Sequence, residues 1–272
     1  MNTTGELKKP LQKTPRNRNA RNRRGETVST GNIGSDSRKK VLVRSIPAVL
    51  NEMYDCMAAY YGPTHWWPGD SEFEIAVGAV LTQNTAWTNV ERAIANLKQA
   101  NLLSARKILG CPDEKLHEIL RPSGYFRVKT TRLRTFCEYL VTRYAGSVKR
   151  MARSPIETLK PELLAVDGIG PETADDILLY ACHKPVFVVD AYTRRIFTRH
   201  GLAHPKMTYG ELQRMFHVNL EPDLHRFKEY HALIVWTGKE FCRNTPKCDR
   251  CPLAPTLRGG QPPNPVALPL QT

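Results

Sequence analysis

Apolar side chains recur at helical intervals along most of this chain. Ile46, Leu50, Met53 and Met57 share one helical face, and Ile75, Ala79, Val90, Ile94 and Leu97 continue the rhythm. Glycine, proline and small polar residues interrupt it at Tyr61-Gly62-Pro63, Pro68-Gly69-Asp70, Arg121-Pro122-Ser123-Gly124 and Asp167-Gly168-Ile169-Gly170-Pro171. Sustained apolar-polar alternation is missing. Only Val186 to Val189 resembles a strand, which we read as a short buried connector. No internal repeat is visible, and the pattern predicts an all-α core over residues 45–253.

Outside that core the periodicity stops. The first 40 residues carry eleven Lys and Arg against three acidic residues, with few apolar anchors, so residues 1–44 are expected to form a disordered basic arm. A solubilising tail or a cleaved targeting peptide would have the same composition. Residues 254–272 hold Pro255, Pro262, Pro263, Pro265 and Pro269 with Gly259 and Gly260, and read as a disordered tail.

The chain has 272 residues and a formal charge of +14, of which the first 40 supply +8. Such a surplus suits a polyanion, nucleic acid ahead of an anionic membrane, but the +6 left on the core is too small to decide the matter. There is no apolar run of about 18 residues and no apolar N-terminal signal segment. We therefore expect a soluble, intracellular protein without a membrane partner, organellar targeting by the arm remaining open. Seven cysteines, three of them bunched at Cys242, Cys248 and Cys251, favour reduced thiols and a metal site over a disulfide framework.

The most informative segment runs from Leu163 to Leu178. A helix is expected to stop at Asp167, Gly168 and Gly170 permit a tight turn, and Pro171 suits the first position of a second helix. Ala174, Ile177, Leu178 and Ala181 then form its buried face. Backbone amides near the two glycines can approach a phosphate with no side chain in the way. An ordinary helical hairpin with a glycine stop fits the same residues.

Val186 to Val189 then delivers Asp190 to the start of another helix, Ala191 to His200. Asp190 reads as an N-cap accepting the amide of Tyr192 or Thr193. A carboxylate fixed by amides stays ionised and can also face positive charge developing at a sugar C1′.

Gly168-Ile169-Gly170, Val188-Val189-Asp190-Ala191-Tyr192-Thr193-Arg194-Arg195, Leu81-Thr82-Gln83-Asn84-Thr85 and the late cysteines together resemble the endonuclease III family of helix-hairpin-helix DNA glycosylases, over roughly residues 45–253. Trp66-Trp67-Pro68, Arg121-Pro122-Ser123-Gly124 and Tyr180-Ala181-Cys182 resemble most closely its bacterial 3-methyladenine DNA glycosylase III branch. The resemblance implies two helical subdomains flanking a DNA-binding cleft, with the hairpin over about residues 160–183. It implies a monomer that acts on double-stranded DNA containing a damaged base, such as an N-alkylated purine. Asp190 matches the catalytic aspartate. Glu172 stands where bifunctional relatives carry the Schiff-base lysine, which implies a monofunctional glycosylase without efficient lyase activity.

Trp66, Trp67, Trp87 and Glu172 are the expected base-pocket residues, since indole faces stack on purines, most strongly on cationic alkylated ones. Buried core tryptophans would also account for the three indoles. Gln83, Gly168, Ile169, Gly170 and Thr173 are the expected DNA contacts, Gln83 resembling the residue that enters the duplex. Lys129, Arg132 and Arg134 are candidate phosphate contacts or a solvated helix face.

Five residues separate Cys242 from Cys248 and two separate Cys248 from Cys251. The resemblance implies a [4Fe-4S] cluster here, but only three of its four cysteines are present, and Leu257 occupies the fourth place. Zinc with His231 as fourth ligand, or no metal, are the alternatives. A mismatch or oxidised-pyrimidine glycosylase/lyase, and a catalytically silent DNA-binding module, remain the competing functions.

Overall fold

The computed structural model describes residues 45–257; the basic arm and most of the C-terminal tail lie outside the described residues. Twelve α-helices make up the described fold, and no strand occurs among the described residues. No helix there is long and apolar enough to cross a membrane.

The helices fall into two groups. One contains α2 (Glu72–Leu81), α3 (Trp87–Gln99), α4 (Ala105–Leu109), α5 (Asp113–Leu120), α6 (Phe126–Tyr144), α7 (Val148–Met151), α8 (Ile156–Leu164) and α9 (Pro171–Asp176). The other contains α1 (Ile46–Tyr61), α10 (Ala191–Arg199), α11 (Tyr209–Asn219) and α12 (Leu224–Glu240). At the centre of the first group, α2 is apolar on nearly every side and packs on α3, α6, α9 and the π-helical turn Ile177–Ala181 that continues α9. In the second group α12 packs on α1 and α10, and it also touches that turn. The turn is thus the hinge line along which the two groups meet.

Local chemistry explains the boundaries. Ser45, Ser71, Ser104, Ser147, Thr208 and Asp223 each cap a helix by accepting a backbone amide. The first helix stops at Gly62, whose φ of 70° belongs to the left-handed region.

Three expectations change. Helix α8 ends at Leu164, not Asp167, so the hairpin turn is longer than the glycine pair suggested. The helix after it is buried on all sides, Thr173 to Ala181 included, not on a single face. Lys129 is only 1% exposed and donates to the carbonyl oxygens of Leu81 (2.8 Å) and Ser123 (2.5 Å), which removes it as a phosphate contact. Arg134 is likewise occupied, by the Leu109 carbonyl oxygen at 2.9 Å and the Asp113 carboxylate at 2.7 Å.

Val186 to Val189 is a buried connector without a sheet partner. Side chains of α11 satisfy its backbone: Phe187 N–H donates to His217 Nε2 (2.9 Å), Val189 N–H to Tyr209 Oη (3.3 Å), and Gln213 Nε2 donates to Phe187 O (2.6 Å). A buried segment with those partners needs no neighbouring strand.

Candidate active site

Asp190 caps α10 at the end of this connector. Its Oδ1 accepts Thr193 N–H at 2.6 Å and Thr193 Oγ1–H at 2.8 Å, while Oδ2 lies 3.7 Å from His231 Nε2. The side chain is 11% exposed. Burial alone would raise its pKa, but the nearby His231, followed by the Thr193 donors, outweighs burial and holds the carboxyl below its ordinary range. A close backbone approach brings the two helices together here. A Cβ on Gly238 of α12 would stand 2.3 Å from Tyr192 Cδ1, so only glycine lets α10 lie this near α12.

Two further carboxyls respond to Asp190 and move the opposite way. Glu172 keeps an exposed edge while protein crowds its other sides; that desolvation first, and the charge of Asp190 second, raise its pKa to about 7. Asp176, one turn along α9, is raised by burial and then by the charges of Glu172, Asp190 and Asp175. One carboxyl with a lowered pKa therefore stands near two with raised ones, the separation of roles that acid-base chemistry requires.

Three indoles gather on the far side of Tyr180, whose ring centre lies 5.0 Å from that of Trp67 and whose phenol feels Asp176 and Asp190. Ring centroids of Trp66 and Trp67 lie 5.6 Å apart, Trp66 and Trp87 5.6 Å, and Trp67 and Trp87 5.0 Å. All three are partly buried, and Trp67 and Trp87 lie against α2 at Gly78. Glu229 of α12 pins the segment before them by accepting Thr64 N–H (2.9 Å) and Oγ1–H (2.7 Å). The buried Nε1–H groups of Trp66 and Trp67 have no hydrogen-bond partner in the protein. Lys239 places its ammonium 5.8 Å from the Trp66 ring centre, so that face already accepts a cation.

Gln83, Gly168 and Thr173 form a second cluster. Gln83 Nε2 donates to Gly168 O at 2.9 Å and to Thr173 Oγ1 at 3.0 Å, and its Oε1 accepts from Arg132. Thr173 and Ile169 are themselves buried. Nothing lies within 4 Å of where a Cβ on Gly170 would stand, so the turn is open there.

Cys242, Cys248 and Cys251 line one cavity of about 20 Å³ with Leu257, room for roughly one water molecule. Cys242 Sγ accepts from Arg199 at 3.2 Å, and burial first of all pushes the Cys251 thiol up to about 11. Among the described residues no three His, Cys, Asp or Glu groups are arranged to hold a metal ion. Three thiols and a leucine around so small a space do not fit a four-iron cluster. His231 does not complete a zinc set, because its ring faces Asp190 and Tyr180.

A profile of the HhH-GPD superfamily of base excision DNA repair proteins matches residues 77–222. The chain belongs to that superfamily. This DNA glycosylase is 46% identical over 207 residues to a candidate DNA repair glycosylase of Methanocaldococcus jannaschii, covering 75% of the chain and 94% of that protein. Endonuclease III of Thermotoga maritima is 27% identical over 180 residues, covering 66% of the chain and 79% of that protein. The solved structure of H. pylori 3-methyladenine DNA glycosylase bound to 1,N6-ethenoadenine matches with a TM-score of 0.62 at 28% identity, covering 72% of the chain and 98% of that structure. The matched profile spans Gln83, the hairpin and Asp190, and leaves Trp66, Trp67 and all of α12 outside it.

Sequence reasoning missed Tyr180 and Lys239 and misplaced His231. The signal available was register: His231, Val235 and Lys239 recur every four residues on one side of a nearly continuous buried helix.

Proposed function

We propose that this monomeric glycosylase extrudes a damaged base from duplex DNA, an N-alkylated purine such as 3-methyladenine, and hydrolyses its N-glycosidic bond with Asp190 as the catalytic carboxylate. Residues 45–253 form the glycosylase domain. The observation that carries the reading is an ionised, nearly buried carboxylate whose charge is felt by Lys239 and Tyr180, the residues that touch Trp66 and Trp67 of the indole cluster. As the bond to the base breaks, positive charge grows at C1′, and the fixed negative charge of Asp190 stabilises it in a site where little water screens it. Water then adds to C1′, with Asp190 orienting it and accepting its proton.

Substrate choice follows from the indoles. The Trp66 face that accepts the Lys239 ammonium would accept a cationic purine in its place. Glu172 has no amine with which to form a Schiff base, which supports hydrolysis without a lyase step. Arg199 holds the cysteine loop through Cys242 Sγ and the carbonyl oxygens of Arg243 and Asn244.

A base-release panel on alkylated, oxidised, deaminated and mismatched duplexes tests the proposal. Release of 3-methyladenine without strand cleavage is expected. Release confined to unalkylated bases would overturn the substrate class, and a borohydride-trapped covalent adduct would overturn monofunctional action.

A further inference from the structure

The assigned chemistry leaves a buried pair unexplained. Tyr180 Oη lies 2.6 Å from His231 Nδ1, and both residues are almost fully buried between the two helix groups. The same imidazole turns Nε2 toward Asp190 Oδ2 at 3.7 Å, and that nitrogen has no other hydrogen-bond partner.

We propose that His231 is a positioning residue for base removal, holding Asp190 Oδ2 by a proton on Nε2, and that Tyr180 fixes the ring in that orientation. This rests on the assignment of Asp190 as the catalytic carboxylate.

Donor and acceptor logic places the proton. If Tyr180 donates to Nδ1, a neutral ring must carry its hydrogen on Nε2. If Nδ1–H donates to Tyr180 instead, the phenol proton turns to the Lys228 carbonyl oxygen, 3.4 Å away, and a charged ring again presents Nε2–H. Only the neutral Nδ1–H tautomer would aim a lone pair at the carboxylate, a repulsion with nothing to offset it. The 3.7 Å separation exceeds a hydrogen bond of about 3.2 Å, so the proposed bond requires Nε2 and Oδ2 to draw about half an ångström closer in the substrate complex.

Asp190 needs this partner because Thr193 already holds Oδ1 twice, leaving Oδ2 as the oxygen whose direction is otherwise unset. Burial and the neighbouring acids oppose its charge, while Lys239 favours it. Glu172 and Asp176 face it from α9, Tyr180 from the π-helical turn and Tyr192 from α10, while Lys228, Glu229 and Lys239 stand on α12 with His231. Removing the Nε2–H donor lets the acidic neighbours and burial raise the carboxyl's pKa.

The test uses the full chain, single-turnover base release from methylated duplex DNA across pH, and affinity for a duplex with an abasic analogue. His231→Phe should slow release by about tenfold or more at pH 7 and move the acid limb up by about one pH unit, with abasic affinity unchanged. His231→Gln, which keeps a donor, should recover part of both, and Tyr180→Phe should move the limb the same way by less. Repeating the profiles in a Glu172→Gln background removes Glu172 as the source of the limb. Unchanged rate and limb in His231→Phe, or in His231→Gln and Tyr180→Phe should the first variant not fold, would overturn the inference. Asp190→Asn, run in parallel, separates the two failures: if it stays active, the assignment of Asp190 is what fails.

Discussion

The side-chain amide of Gln83 donates to the carbonyl oxygen of Gly168 at 2.9 Å, which ties the loop between α2 and α3 to the hairpin turn 85 positions later. Arg132 closes the cluster by donating to Gln83 Oε1. Gly168 has a φ of 84°, and a Cβ there would stand 2.3 Å from Arg132 Cγ. Gly168→Ala should therefore lower stability by about 1–3 kcal/mol and weaken duplex binding, because it strains the turn and displaces Arg132. Gly170 has a φ of −88° and open space around it, so Gly170→Ala should leave stability nearly unchanged. Thermal unfolding of the two variants checks the contrast.

Lys129 serves the fold and not the nucleic acid. Its ammonium joins the end of α2 to the turn before α6, and Lys129→Met would leave the carbonyl oxygens of Leu81 and Ser123 buried without that donor. A loss of about 1–3 kcal/mol is expected in denaturant unfolding. The slope of DNA affinity against salt concentration should not change, since no phosphate contact is removed. A shallower slope would return Lys129 to the DNA interface.

The raised pKa of Glu172 gives a signed pH effect. A carboxyl near 7 in the folded chain and near 4.5 in the unfolded chain makes the folded state bind more protons between those values. Its contribution to stability therefore grows as pH falls from about 7 toward 4.5 and is lost as pH rises through 7. Glu172→Gln, which cannot ionise, should melt higher than the parent at pH 8 and close to it at pH 5. The same melting difference at both pH values would show that the folded chain does not raise the Glu172 pKa.

Trp87 separates base recognition from strand binding. Its ring meets Trp66 and Trp67 within the indole cluster. Trp87→Ala should slow excision of 3-methyladenine by about tenfold, the scale of one lost base-aromatic stack, while affinity for undamaged duplex falls much less. Equal losses would make the indole a packing residue only.

The helical pattern made most of the fold legible, because apolar periodicity and capping residues are local. The glycine turn and the helix-capping role of Asp190 were legible for the same reason, a short segment with its own conformational demands. What escaped the sequence was decided by distant contacts. Lys129 looked like a surface cation until the helix groups closed over it, and α9 reads as amphipathic although its Asp175 is buried against Lys160, Tyr209 and Gln213. His231 could be valued only once α12 had placed it between Tyr180 and Asp190, 51 positions from one and far from the cysteines in role. The cysteine spacing, read alone, suggested a metal that the Arg199 contacts and the small cavity do not accommodate.

The most direct measurement is single-turnover base release by Asp190→Asn, with binding to an abasic-analogue duplex followed in parallel. Asparagine keeps the capping oxygen for Thr193 but not the charge, so release should fall by roughly a thousandfold while abasic affinity is retained. Base release at close to the parental rate would contradict the account.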